Sequence, residues 1–181
     1  MFLWGQNMNP DITECKACKL HMTRTNVVLP RGSSYAHVVF IGEAPGANED
    51  IQGKPFVGRA GKLLDEWIAY LGLAENDYAI TNVVWCRPPD NRFPAPDEVE
   101  ACKIHLMEYL ATVKPRYVVT LGKLATEFMF GSKIRSMTAH AGEILVMEHY
   151  GFCILFHPAY FLRNHSDWKP MLQNLKKELG R

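Results

Sequence analysis

Five short stretches of the chain are almost continuously apolar and rich in β-branched residues, and turn residues close each of them: 37–41 (HVVFI), 78–84 (YAITNVV), 116–121 (RYVVTL), 143–147 and 152–156 (FCILF). Such runs predict strands buried on both faces. Between them, apolar residues recur at helical spacing. In 61–71, Leu63, Leu64, Trp67, Ile68 and Leu71 fall on one face. In 96–110, Pro96 opens the first turn, Asp97, Glu98 and Glu100 sit near the positive end, and Val99, Ile104, Leu106 and Leu110 are apolar. Stretches 122–130 and 168–179 complete the set, and 11–22 reads as a separate short helix carrying CKAC. Strands alternating with helices predict a three-layer α/β/α domain around a central four-stranded parallel sheet. Residues 148–151 are placed to close a hairpin between the last two strands. No repeat, low-complexity tract or Gly/Ser linker divides the chain, so residues 1–181 are read as one domain.

Composition narrows the function classes. With 181 residues, 48% of them hydrophobic, the chain can bury about 70% of its unfolded surface without a disulfide staple. Twenty Lys+Arg against 19 Asp+Glu leave a formal charge of +1, which excludes a polybasic coat and restricts any nucleic-acid contact to a local patch. Five cysteines at uneven spacing, with no early apolar run, argue against a secreted disulfide scaffold and for intracellular thiols available to a metal. The longest apolar stretches fall short of the ~20 residues that a bilayer span needs.

In a parallel α/β sheet, chemistry is sought in the loops beyond the carboxyl ends of the strands. Three loops qualify: 42–60 (GEAPGANEDIQGKPFVGRA), 86–95 (CRPPDNRFPA) and 157–168 (HPAYFLRNHSDW). The glycines of the first either make turns or let backbone amides approach a phosphate or base. A nucleotide P-loop is excluded, because Phe56 stands where its first glycine belongs and Leu63 where Ser or Thr would bind magnesium; GxGxxG is absent as well. Cys15 and Cys18 form a CxxC, followed after 67 residues by Cys86 and after 15 more by Cys102. Four thiolates at this spacing suit Zn²⁺ or an iron–sulfur cluster, and spacing alone does not choose between them; a redox CxxC would need neither Cys86 nor Cys102. Cys153, inside FCILF, reads as an inert buried thiol. His157 follows a strand and precedes Pro158, which projects it at the sheet end. Asn82, in TNVVWC, carries a carboxamide that is costly to bury unpaired and suits the edge of a nucleobase. Phe56 is either a stacking platform or a plain core residue.

Taken together, GEAPGANEDIQGKPFVGRAGKLLD, TNVVWCRPPDNR, HPAYFLR and the four cysteines resemble the family-4 uracil-DNA glycosylases, base-excision repair enzymes of bacteria and archaea. The resemblance runs from Cys15 to Arg163. It implies a [4Fe–4S] cluster on Cys15, Cys18, Cys86 and Cys102 that fixes the N-terminal segment against the Pro-rich loop. It also implies hydrolysis of the N-glycosidic bond of a flipped-out uracil, in single- or double-stranded DNA, leaving an abasic site. His157 would donate to uracil O2 and Asn82 would read the O4/N3 edge. Phe56 would stack on the ring, and Gly42 and Glu43 would border it. Glu43 would either favour the sugar cation or orient water, with Asn91 assisting. The family-1 motif GQDPYH departs here: its Asp falls on Ala44 and its Tyr on Gly46, leaving Glu43 to cover part of both roles. CRPPDNRFPAPDEVEAC contains no His, so the covalent trapping of a related branch is not expected.

Tyr160, Phe161 and Leu162 resemble an apolar wedge that fills the gap left by the extruded nucleotide, with Arg163, Gly58, Arg59 and Ser166 on the DNA backbone. A monomer in the cytoplasm of a prokaryote, at the nucleoid, is implied; a sliding clamp as partner has no support in the sequence. The rival readings are a catalytically silent, metal-stabilised nucleic-acid-binding module of the same fold, and a zinc protein using the same cysteines. Segments 53–64, 86–96 and 157–170 carry seven Lys/Arg against two Asp, a local +5, and the remainder is −4. The near-zero total therefore conceals a basic face formed by the loops that hold the proposed chemistry.

Overall fold

The computed structural model describes residues 10–131, 134, 136–147 and 150–181. Its sheet contains β1 (Arg31–Gly32), β2 (Val38–Gly42), β3 (Tyr78–Asn82), β4 (Tyr117–Leu121), β5 (Ile144–Met147) and β6 (Tyr150–Leu155), in the order β1-β3-β2-β4-β6-β5. The four central strands are parallel, as their unbroken apolar runs predict, and β1 and β5 are added antiparallel at the two edges. The sheet is thus six-stranded around the expected parallel four. Met147 pairs with Tyr150, so β5 and β6 are antiparallel neighbours as expected. Positions 148 and 149 of the expected hairpin turn lie outside the described residues.

Successive residues of each central strand face opposite layers. Val38, Phe40, Ile80, Val119, Cys153 and Leu155 bury against α2 (Arg59–Tyr70) and α7 (Lys169–Glu178), through Leu64, Trp67, Leu172 and Leu175. Val39, Ile41, Ala79, Val118 and Ile154 face α3 (Pro96–Val113) and α4 (Lys123–Phe130), through Leu106, Tyr109, Leu110 and Ala125. This is the expected three-layer arrangement, and it accounts for strands without polar alternation. From β2 the chain passes to β3 on one side, and only later to β4 on the other. The crevice where the connections diverge lies at the carboxyl end of β2.

Three segments differ from expectation. The loop 42–60 contains α1 (Ala47–Gln52), bounded by Gly46 and by Gly53 in the left-handed region, and the loop 157–168 contains α6 (Pro158–Asn164). Each is too short to show a helical period. The expected helix 11–22 is instead two 3₁₀ turns, Pro10–Glu14 and Lys19–Met22, with Cys18 extended between them (φ −142°, ψ 168°). A segment this short is marginal as an isolated helix, so tertiary contacts of its thiols decide its path. A further short helix, α5 (Met137–His140), precedes β5.

Candidate active site

The carboxyl ends of β2, β3 and β6 bring four of the expected residues together. Gly42 is in register with Asn82 across the β2–β3 pair. A side-chain carbon added at Gly42 would lie 2.5 Å from Asn82 Oδ1 and 2.6 Å from the Phe56 ring, so only glycine permits this close approach. The Phe56 and His157 rings are 5.7 Å apart and tilted by 30°. The ladder continues beyond the strands, with Val83 N–H donating to Gly42 O (2.9 Å) and Val84 N–H to Glu43 O (3.1 Å). Glu43 is thereby fixed beside the end of the Asn82 strand.

Each side chain is set by its local backbone. Asn82 is 2% exposed, and its carboxamide makes no hydrogen bond among the described residues, whereas its carbonyl accepts from Trp85 Nε1 (3.0 Å). Phe56 holds a left-handed conformation (φ 55°) that few non-glycine residues adopt, and a side chain at Gly61, in the first turn of α2, would collide with its carbonyl. Glu43 is half-buried, and burial raises its carboxyl above the usual carboxylate range. His157 is the residue before α6, and its Nδ1 accepts the Ala159 backbone N–H at 3.2 Å. Burial, aided by the Arg163 charge and opposed by Glu49, pushes the imidazole down to about 4. At neutral pH the ring is therefore neutral, with its proton on Nε2, free to donate.

Two residues that sequence reasoning missed complete the frame. Glu49, on α1, accepts the backbone N–H groups of Val57 and Gly58 with one oxygen, both at 3.1 Å, tying α1 to the start of α2 beneath Phe56. Gly122, at the end of β4, lies against His157: a carbon added there would sit 3.2 Å from its Cβ. No local pattern marks either one, since both act on residues remote in sequence.

Other expected residues are placed differently. Phe161 is 7% exposed and packs edge-on against Trp67 at 5.6 Å, so it belongs to the core and not to a wedge. Burial explains the correction: α6 turns Phe161 inward onto Trp67 of α2. Tyr160 and Leu162 are exposed, and Tyr160 stacks on Phe156 (4.6 Å, 15°). Arg59, Arg163 and Ser166 are exposed, but the Gly58 N–H is spent on Glu49. Asn91 is not drawn into the group: it is exposed, and its Oδ1 accepts from Arg87 Nε at 2.8 Å. Arg92 donates both guanidinium nitrogens to the buried Glu98 carboxylate (2.8 and 2.7 Å), so its charge is compensated and the basic face is smaller than the loop count suggests.

On the other side of the Pro-rich loop, Cys15, Cys18, Cys86 and Cys102 line one small recess together with Arg24 and His105. Burial raises the Cys18 and Cys86 thiols, and it pushes Cys102 up to about 12. Without a bound cation, these sulfurs carry their protons at neutral pH. Among the described residues, no three His, Cys, Asp or Glu are grouped as a single metal ion requires. Cys153 lies elsewhere, fully buried between β4 and β5, with its thiol pushed to about 12, as expected of an inert thiol.

Residues 29–179 match the family model described as the uracil DNA glycosylase superfamily. The chain is 42% identical over 159 residues to a type-4 uracil-DNA glycosylase of Archaeoglobus fulgidus, covering 84% of this chain and 80% of that one. It is 43% identical over 157 residues to the type-4 enzyme of Thermotoga maritima, covering 86% and 82%. The chain belongs to the uracil-DNA glycosylase superfamily, in its type-4 branch. The relation to other branches is more distant: a type-5 uracil-DNA glycosylase of Pyrobaculum aerophilum is 37% identical over 113 residues, 54% of this chain. The superfamily match begins after Cys15 and Cys18. No helix among the described residues is long and apolar enough to cross a membrane.

Proposed function

We propose that this type-4 family member hydrolyses the N-glycosidic bond of uracil in DNA, as a monomeric single domain, and leaves an abasic site. The observation that carries the reading is the convergence of Phe56, Gly42, Asn82 and a neutral His157 on one crevice at the carboxyl end of the sheet. A flipped uracil would stack on Phe56 and present O4 and N3–H to the unpartnered Asn82 carboxamide. Cytosine would oppose a donor to a donor at position 4, leaving buried polar groups mispaired.

As the N1–C1′ bond breaks, its electron pair moves into the uracil ring and collects on O2, while the sugar takes on oxocarbenium character. The His157 Nε2–H donates to that oxygen; removing one such donor typically costs ~3 kcal/mol. The ionised Glu43 stabilises the sugar cation and orients water, whose oxygen bonds to C1′. The water proton passes to solvent, and the uracil anion takes a proton back at N1. Tyr160 and Leu162 fill the vacated stack, with Arg163, Arg59 and Ser166 on the phosphates.

The residues Cys15, Cys18, Cys86 and Cys102 would hold a [4Fe–4S] cluster. The donor set fits: the four cysteines line one recess, and burial raises the Cys18, Cys86 and Cys102 thiols, so these become stable thiolates only against a bound cation. Once bound, the cluster supplies a cross-link between the N-terminal segment and the loop leading to α3.

The test is uracil release from single-stranded, U:G and U:A oligonucleotides by the wild type and by His157→Ala, alongside iron content and visible absorption of anaerobically purified protein. Release that falls about 100-fold or more in the variant is expected. A folded, iron-replete wild type that releases no uracil would point instead to a silent DNA-binding module. Colourless, iron-free, folded protein would retire the cluster.

A further inference from the structure

The cysteine recess is cross-braced by two residues that are not ligands. Arg24, in the N-terminal segment, donates Nη1–H to Cys86 Sγ at 3.2 Å, while its Nη2 donates to Thr13 O at 3.2 Å. His105, on α3 one turn beyond Cys102, places Nε2 3.7 Å from Cys15 Sγ, within reach of a large sulfur acceptor. Its ring stacks on Trp85 (5.8 Å, 28°), the residue before Cys86. The ties are reciprocal: the segment that contributes Cys15 and Cys18 reaches across to Cys86, and the helix that contributes Cys102 reaches back to Cys15.

We propose that Arg24 and His105 are positioning residues for the metal group, each donating to a thiolate of the opposite half of the ligand set, and that together they hold the halves closed and set the group's reduction potential. This rests on the cluster reading above. Four thiolates around a cluster leave net negative charge in a recess walled by Val84, Ala17 and Ala101. Hydrogen bonds to the sulfurs withdraw electron density and favour the reduced state, raising the potential. Arg24 does this with a full positive charge and His105 with a neutral dipole, so Arg24 should dominate. Arg24 also clamps the Thr13 carbonyl, two residues before Cys15, so its loss frees the end of the chain that must stay closed for iron to be retained.

The experiment uses anaerobically purified holoprotein of the wild type, Arg24→Gln, Arg24→Lys and His105→Phe, the last keeping the stack on Trp85 while removing the donor. Iron release to a chelator and the reduction potential, followed by visible and paramagnetic resonance spectra, are the readouts. Release about tenfold faster in Arg24→Gln is expected, in line with the cost of losing an outer-sphere partner. The potential should be more negative in both donor-deleting variants and shift further in Arg24→Gln. Arg24→Lys restores the charge but not the two-pronged donor, so it should recover the potential better than the retention. Wild-type potential and retention in Arg24→Gln and His105→Phe, whatever their melting temperatures, would overturn the proposal. If Arg24→Gln fails to accumulate, wild-type retention by Arg24→Lys together with an unshifted His105→Phe potential overturns it equally. An iron-free wild type would defeat the cluster reading instead, a distinguishable result.

Discussion

The backbone N–H of Ala159 donates to His157 Nδ1 at 3.2 Å, and this one contact decides which ring nitrogen faces the crevice as a donor. It follows from Pro158, which cannot donate, at the first position of α6, so that the next N–H turns back on the residue before it. With the imidazole held down to about 4, an uncharged donor persists through the neutral range. Uracil release by the wild type should be level near neutrality and decline on the acid side, where Glu43 gains its proton earlier than an exposed carboxylate and His157 charges near pH 4. Glu43→Gln should be slower and should lose the higher of these two steps. A pH–rate profile for each protein is the check, and an unchanged acid limb in Glu43→Gln would count against the role of Glu43.

The same imidazole makes a stability prediction of definite sign. Its folded pKa lies below the unfolded value near 6.5, so the unfolded chain binds more protons between the two. The contribution of His157 is complete above about pH 6.5 and is lost as pH falls towards 4. The melting-temperature gap between the wild type and His157→Gln should therefore stay constant above about pH 6.5, and the wild type should fall more steeply than the variant as pH drops from there towards 4.

Gly42→Ala should leave the fold intact and damage the site. The added carbon meets Asn82 Oδ1 and the tip of the Phe56 ring, the far ends of two side chains rather than backbone. A displacement of about 1 Å at a positioning group costs on the order of 100-fold in rate. Kinetics of uracil release beside a thermal melt separate the two effects, and near-wild-type turnover would show that Phe56 does not need its observed place.

Phe161 and its two neighbours in α6 should part company. Phe161→Ala removes a buried ring packed on Trp67 and should destabilise by roughly 3–5 kcal/mol. Tyr160→Ala and Leu162→Ala should hardly affect stability but should slow release from duplex more than from single strands, because only a duplex has a stack to be filled. Denaturant melts and the ratio of duplex to single-strand rates are the measurements.

Glu98 anchors the Pro-rich loop. Its buried carboxylate accepts two guanidinium bonds from Arg92 and the Ala95 N–H (2.8 Å), and the Arg92 bonds hold it below the usual carboxylate range. That stabilisation is full above the ordinary Glu range and is lost as pH falls through the lowered folded value. Glu98→Gln should melt lower than the wild type at neutral pH, with the gap narrowing at acid pH. A gap independent of pH would mean that the ion pair contributes nothing.

Reading the sequence located the strands to within two residues at almost every end, because a run such as VVFIG is buried on both faces and carries its own signal. It also singled out Phe56, Asn82 and His157, which the structure brings to one crevice, because their loops are marked by strand ends and by family motifs. It did not find α6, because seven residues cannot display a helical period, and the resemblance of HPAYFLR put Phe161 in the wedge. Nor could it find Glu49 or Gly122, whose partners lie on other elements, or foresee that Asn91 would turn to Arg87 and Arg92 to Glu98.

What the sequence by itself determined is the layered parallel fold and the residue types available for chemistry, since both follow from local apolar patterning and loop composition. Which of those residues meet was decided by tertiary structure alone. The crevice at Gly42 exists because two parallel strands end in register, and the cysteine recess exists because α3 brings Cys102 and His105 against a segment with no stable helix of its own. Contacts between elements distant in the chain depend on strand order and helix rotation, and neither is encoded within any one stretch.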